Sequence, residues 1–125
     1  MIQAKLFTPL NKREKPLQTS IESWHGYTIL RLSGNIDHLK DSISLKSNLI
    51  SLIDDKHHRI ALHLKELNYI DSAAINVLLY VKETLQKTGG NFFLVEPNQY
   101  VLDVLGVLGL TSLFSIVAKQ EELPK

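Results

Sequence analysis

An acid followed by a hydroxyl, Asp71-Ser72, stands between an alternating apolar run and a run with helical periodicity. A short polar side chain just ahead of an apolar periodic run is a helix N-cap signal. The spacing therefore predicts Ser72 at a helix N-terminus, as a cap or as a switchable hydroxyl. Free backbone N–H groups and the positive end of the helix dipole point outward there, and such a place tolerates a phosphate well. A second acid, Asp37, follows an earlier strand pattern. In a parallel sheet the loops after successive strands emerge on one rim. Asp37, Asp71 and Ser72 are expected to share that rim. Spacing alone leaves open whether they are more than turn and cap residues.

Other chemistries lack their residues. A nucleophile elbow needs glycine two positions either side of its serine, whereas Ile70 and Ala74 flank Ser72. A phosphate loop needs several glycines and a Lys-Ser/Thr pair, and the chain has no such run. Gly106-x-x-Gly109 falls at a helix end rather than after a strand, so it is no dinucleotide fingerprint. His25, His38, His57, His58 and His63 form no i,i+4 pair with each other or with a carboxylate in a clear helix. They are expected on the surface or on strand faces, not as metal ligands. Asp54-Asp55 and Glu121-Glu122 are expected as solvated turn and tail charges. With no cysteine, disulfides, thiolate metal sites and cysteine catalysis are excluded. The expectation is a protein that is not an enzyme and carries no cofactor and no metal.

The elements that must position the acids and the serine follow from periodicity. Leu17 to Ser23 alternates weakly, as an edge strand does. His25-Gly26 turns the chain into a second strand from Tyr27 to Ser33, and Gly34-Asn35 breaks it. A helical pattern follows, with Leu39, Ile43, Leu49, Ile50 and Ile53 predicted near one face. Asp54 to His57 is a polar loop. The next strand, Arg59 to Leu64, alternates Ile60, Leu62 and Leu64 with Ala61 and His63. The helix after Ser72 carries the clearest stripe, Ala74, Leu78, Val81 and Leu85, widened by Ile75 and Leu79, and Gly89-Gly90 stops it. Phe92 to Val95 has the apolar run of a buried strand. Pro97-Asn98 leads into a third helix, Gln99 to Val107. Leu113 to Val117 forms a last strand, and Ala118 to Lys125 a charged tail. Strands alternating with helices mean an α/β fold with a mixed, mostly parallel sheet of four or five strands and helices packed against it.

The chain has 125 residues, 44% of them hydrophobic and 22% charged. That suits one soluble domain with a real core. Lysine and arginine total 14 against 13 acids. Such a balance does not point to nucleic acid or a membrane surface. No apolar run approaches the ~20 residues of a spanning helix, and the N-terminus lacks the pattern of a signal peptide. Residues 1–16, with the charged stretch Asn11 to Lys15 and then Pro16, are expected to be an extension ahead of a domain over 17–125.

Ile70-Asp71-Ser72-Ala73-Ala74-Ile75 resembles the Asp-Ser-Ser/Thr/Ala-Gly-Leu/Ile signature of STAS domains, and within them the bacterial anti-anti-sigma factors (anti-sigma factor antagonists). Leu32-Ser33-Gly34-Asn35-Ile36-Asp37 is similar to that family's Leu-Thr/Ser-Gly-Glu-Leu-Asp. Thr88-Gly89-Gly90 and Leu105 to Leu110 match further landmarks, in order, so that the resemblance runs from about residue 17 to the end. It implies a cytoplasmic, phosphorylation-switched binding module. Its Ser72 is phosphorylated by a serine kinase that is also an anti-sigma factor, and its unphosphorylated form binds that partner and frees a sigma factor. Any ATP belongs to the kinase. Asp37, Asp71, Ser72, Ala73 and Ala74 are the partner-binding positions it implies. Ala74 departs from the usual glycine and Asn35 from the common acid. A non-switching scaffold subunit of a stress-signalling or lipid-transport complex is the alternative. Monomer and weak dimer both stay open.

Overall fold

The computed structural model describes residues 15–125. The order is β1 (Gln18–Trp24), β2 (Tyr27–Ile36), α1 (Leu39–Asp54), β3 (Arg59–Ile70), α2 (Ser72–Lys87), β4 (Asn91–Val95), α3 (Gln99–Val107) and β5 (Ser115–Val117). Short 3-10 turns lie at Thr111–Leu113 and Gln120–Glu122. The five strands form one sheet in sequence order, β1 antiparallel to β2 and the rest parallel. The expected α/β architecture is present, with five strands.

The β1–β2 hairpin closes through His25 and Gly26, both at positive φ, +47° and +85°. Two consecutive left-handed residues are the mark of a type I′ turn, whose twist matches the strands it joins. β2 does not stop at Gly34-Asn35 but runs on to Ile36. Gly34 is required where it stands. Its φ is +88°, and a Cβ there would meet the Pro16 carbonyl oxygen at 2.2 Å. The chain passes this close because Asn35 N donates to Lys15 O at 2.8 Å. Lys15 and Pro16, expected in the extension, thus lie along β2. The remainder of that extension lies outside the described residues.

β3 also outruns its alternating stretch, to Ile70. Two register shifts against β2 each give β3 one extra residue, between Arg31 and Ser33 and between Gly34 and Asn35. Such bulges rephase a strand. Leu64, Leu67 and Ile70 all enter the core, although strict alternation would have placed Glu66 and Asn68 inside. The bulges keep those polar side chains out and carry β3 level with β2 at Ile36 and Ile70.

One face of the sheet holds Leu30, Leu32, Leu62, Leu64, Phe92 and Leu94 against α1 to α3. On α2 the predicted Ala74, Ile75, Leu78, Val81 and Leu85 are buried, Val77 joins them, and Leu79 is only half-buried. On α1 the predicted face is wrong in part. Leu39 and Ile43 are 70% and 59% exposed, and the buried residues are Ser42, Leu45, Leu49 and Leu52. The apolar residues spread over a broad arc of about half this helix. The sheet takes the side that carries Leu45, Leu49 and Leu52, and Leu39 and Ile43 are left at the outer edge of the arc. The other sheet face carries Tyr27, Ile29, Ala61 and Val95 under Leu123. The tail is therefore no free charged segment. It straps this face, with Arg31 Nη2 donating to Gln120 Oε1 at 3.0 Å and Arg59 Nη2 to Pro124 O at 2.7 Å. The predicted strand from Leu113 begins only at Ser115, after a 3-10 turn.

Candidate functional site

β2 and β3 end side by side. Ile36 pairs with Ile70, and Asp71 N donates to Ile36 O at 3.0 Å. Asp37 and Asp71 therefore leave adjacent strands at the same level, and the shared rim is present. Asp71, not Ser72, is the N-cap of α2. Its backbone is extended (φ −97°, ψ 175°) and its Oδ1 accepts from Ala74 N at 3.0 Å. Asp71 O also takes the first helical bond, from Ile75 N at 3.1 Å. An acid there satisfies an orphan donor and complements the helix dipole. Ser72 is the first helical residue and is exposed. Among the described residues its hydroxyl takes no part in the cap. Ala73 is half-buried, whereas Ala74 is 0% exposed and packs in the core. The Ala74 side chain thus offers no surface to a partner.

On the neighbouring strand end, His38 caps α1. Its backbone N–H donates to Asp41 Oδ2 at 3.3 Å, and its Nδ1 lies 2.7 Å from Asp37 Oδ1 and 3.7 Å from Asp41 Oδ2. Asp37, His38 and Asp41 place three metal-ligand atoms within 4.8 Å of one another. Lys15 and Lys40 line the same hollow, and the imidazole already faces the Asp37 carboxylate. The trio is organised as a hydrogen-bonded helix start. Helical i,i+4 spacing does not reveal this trio, because it straddles a helix start.

The far wall of the rim is aromatic. Tyr69 and Tyr100 stack with ring centroids 5.5 Å apart and planes 25° apart. Tyr100 Oη donates to Ile70 O at 3.4 Å. Burial, then Tyr69 and to a lesser degree Asp71, hold the Tyr100 phenol above its ordinary value. Asn98 fixes the helix that carries Tyr100: its Oδ1 accepts from Val101 N at 3.0 Å and its Nδ2 donates to Leu67 O. Tyr69 falls after the alternating part of β3, and nothing in its spacing ties it to Tyr100. Val107 and Leu108, 87% and 51% exposed, continue an apolar surface along α3. The ends of β2 and β3, with Asp37 and Asp71, and the Tyr69–Tyr100 pair thus both lie near the start of α2, where Ser72 is exposed.

The family model for the STAS domain matches residues 18–123. The chain belongs to the STAS domain family. It is 30% identical over 101 residues to an anti-sigma F factor antagonist of Paenibacillus polymyxa, covering 80% of this chain and 86% of that protein. The fold is that of an anti-sigma factor antagonist from Mycobacterium paratuberculosis, with a TM-score of 0.76 and 20% identity over 86% of this STAS chain and 90% of that one. It is also that of the antagonist SpoIIAA in its unphosphorylated form, with a TM-score of 0.71 and 20% identity over 83% and 91% of the two chains. The phosphorylated form of the Bacillus SpoIIAA gives 0.65 at 19% identity over 85% and 95%. No helix among the described residues is long and apolar enough to cross a membrane.

Proposed function

We propose that this STAS domain is an anti-sigma factor antagonist, a binding module with no catalysis of its own. Ser72 is its phosphoacceptor, and its partner is a serine kinase that is also an anti-sigma factor. The observation that carries the reading is that Asp71 performs the capping. Ser72 is left exposed at the first helical position, and its hydroxyl makes no hydrogen bond among the described residues. The γ-phosphoryl group of the kinase's ATP moves to Ser72 Oγ. The new Oγ–P bond replaces the bond to the bridging oxygen, ADP leaves, and the hydroxyl proton passes to a base of the kinase.

Local terms oppose one another once the phosphate is in place. The helix N-terminus favours it by about 0.3–1 kcal/mol. Asp71 opposes it by about 2 kcal/mol, the repulsion of a dianion and a carboxylate roughly 4 Å apart in water. The fold is thus left nearly unchanged, and the effect falls on the interface. A partner surface shaped for a neutral hydroxyl must desolvate a dianion beside two acids. The unphosphorylated protein binds and the sigma factor is freed, whereas the phosphorylated protein lets go. Incubation with the kinase and ATP, followed by intact mass, is expected to show one added phosphoryl group that Ser72→Ala abolishes. Calorimetry with the partner is expected to give binding for the wild type and Ser72→Ala and none for the phosphoprotein. Equal affinity of all three would overturn the switch and leave a non-switching scaffold.

A further inference from the structure

We propose that β1 is a self-pairing edge, through which two copies of this chain join antiparallel, centred on Ile21, into one continuous sheet. The two edges of the sheet differ in kind. β5 has three residues and is followed closely by Lys119. Short length and a nearby lysine are both ways of blunting an edge. β1 has seven residues, six of them exposed, and no strand among the described residues pairs with its outer side. It contains no lysine, no arginine and no proline. Its pairing with β2 runs without a bulge from Gln18–Ser33 to Trp24–Tyr27. Its one charge, Glu22, is answered within the same chain by Arg31 Nε. Among the described residues β1 itself therefore lacks the proline, lysine and bulge that blunt an edge, Lys15 and Pro16 standing just ahead of it. At its midpoint stands Ile21, 57% exposed.

The strand is self-complementary in one register. Pairing that uses all seven residues places Ile21 opposite Ile21, Ser20 opposite Glu22, Thr19 opposite Ser23 and Gln18 opposite Trp24. The two isoleucines then cover each other on one face, and no two charges meet. A shift of the centre to Glu22 would oppose two carboxylates, and a shift to Ser20 would leave both isoleucines without their partner. A two-fold axis through Ile21 closes on itself. With the other edge blunted, association stops at two copies rather than growing into a fibre. One strand pair is a narrow contact, so the dimer is weak and concentration-dependent. Antiparallel pairing sends the two Ser72 rims to opposite ends. The dimer therefore presents two free sites to partners, and its existence does not depend on the phosphorylation reading.

The absence of native cysteine makes the register directly testable in the full chain. Ile21→Cys is expected to form an inter-chain disulfide under mild oxidation, because directly opposed residues hold their Cα atoms about 4.5–5.5 Å apart, within the span a disulfide bridges. Thr19→Cys alone is expected not to, since the two copies of that position lie roughly 13 Å apart along the strands. A mixture of Thr19→Cys and Ser23→Cys is expected to cross-link. Sedimentation of the unmodified protein is expected to show a monomer–dimer equilibrium. Ile21→Lys should abolish it while leaving the urea melt unchanged. A monomer at every concentration, cross-linking of Thr19→Cys as ready as that of Ile21→Cys, or an Ile21→Lys protein that still dimerises would each overturn the proposal.

Discussion

Asp71 and Ser72 divide the labour at the start of α2. The acid holds the helix, with its carboxylate on Ala74 N, and the serine stays exposed beside it. Asp71→Ala is therefore expected to cost about 1 kcal/mol, the usual loss for a cap. Ser72→Ala is expected to cost at most about half of that, since alanine is the better helix former. Urea melts of the two variants check this, and a larger loss at Ser72 would make the serine structural. His63 is the residue-scale exception on the other sheet face, 5% exposed and 3.2 Å from Glu96 Oε2. Burial, then the charge of Arg31, lowers its pKa from the ordinary 6.5. Below pH 6.5 the unfolded chain takes up this proton more readily than the fold does. Protons bound to the unfolded state then exceed those on the native state, so stability falls as the pH drops. The loss begins near pH 6.5 and levels off below the folded value. His63→Gln is expected to melt with a shallower pH dependence below about pH 6.5, and parallel curves would refute the assignment.

At the scale of elements, α1 shows how a helix chooses its face. Leu45 is 0% exposed and Leu39 is 70% exposed on the same helix. Leu45→Ala is expected to cost about 2–5 kcal/mol through the cavity it leaves. Leu39→Ala is expected to stay within about 0.5 kcal/mol. Equal costs on thermal melting would mean that the helix is rotated from its described position. β2 is held at its end by Gly34, where left-handed backbone and the Pro16 carbonyl leave no room for a side chain. Gly34→Ala is expected to cost about 2 kcal/mol or more, backbone strain alone supplying about 1–2. Because Asn35 and Ile36 lie just beyond it, this variant should also slow phosphorylation at the rim. Unchanged kinetics would uncouple the strand end from the site.

For the whole molecule, the proposed phosphorylation of Ser72 predicts a switch without a change of fold. The phosphorylated protein is expected to keep its melting temperature within a few degrees, on the order of a 1 kcal/mol change. A shift of tens of degrees would place the switch in the fold rather than at the interface. The strap over the second sheet face is expected to matter more to stability than phosphorylation does. Leu123 is 4% exposed and closes the cluster of Tyr27, Ile29, Ala61 and Val95. Leu123→Ala is expected to cost about 2–3 kcal/mol, whereas a solvated tail residue would cost nothing measurable.

The order of strands and helices was legible because most elements repeat their own period, and the α2 stripe and the helix that follows Pro97-Asn98 stand where the pattern puts them. The shared rim of Asp37, Asp71 and Ser72 was legible too, because parallel strands must release their loops on one side. These are local signals, fixed by backbone geometry over a few residues. Tertiary structure alone decided which side of α1 meets the sheet, since burial area belongs to the partner surface as much as to the helix. It alone extended β3 through two bulges, because register is a property of two strands and not of one. It brought Tyr69 against Tyr100 and His38 against Asp37, and it folded an apparently charged tail onto the sheet through Leu123. The cap assignment between Asp71 and Ser72 was decided the same way. Either side chain can accept from a free N–H, and only the observed extended backbone at Asp71 selects the acid and leaves the hydroxyl exposed.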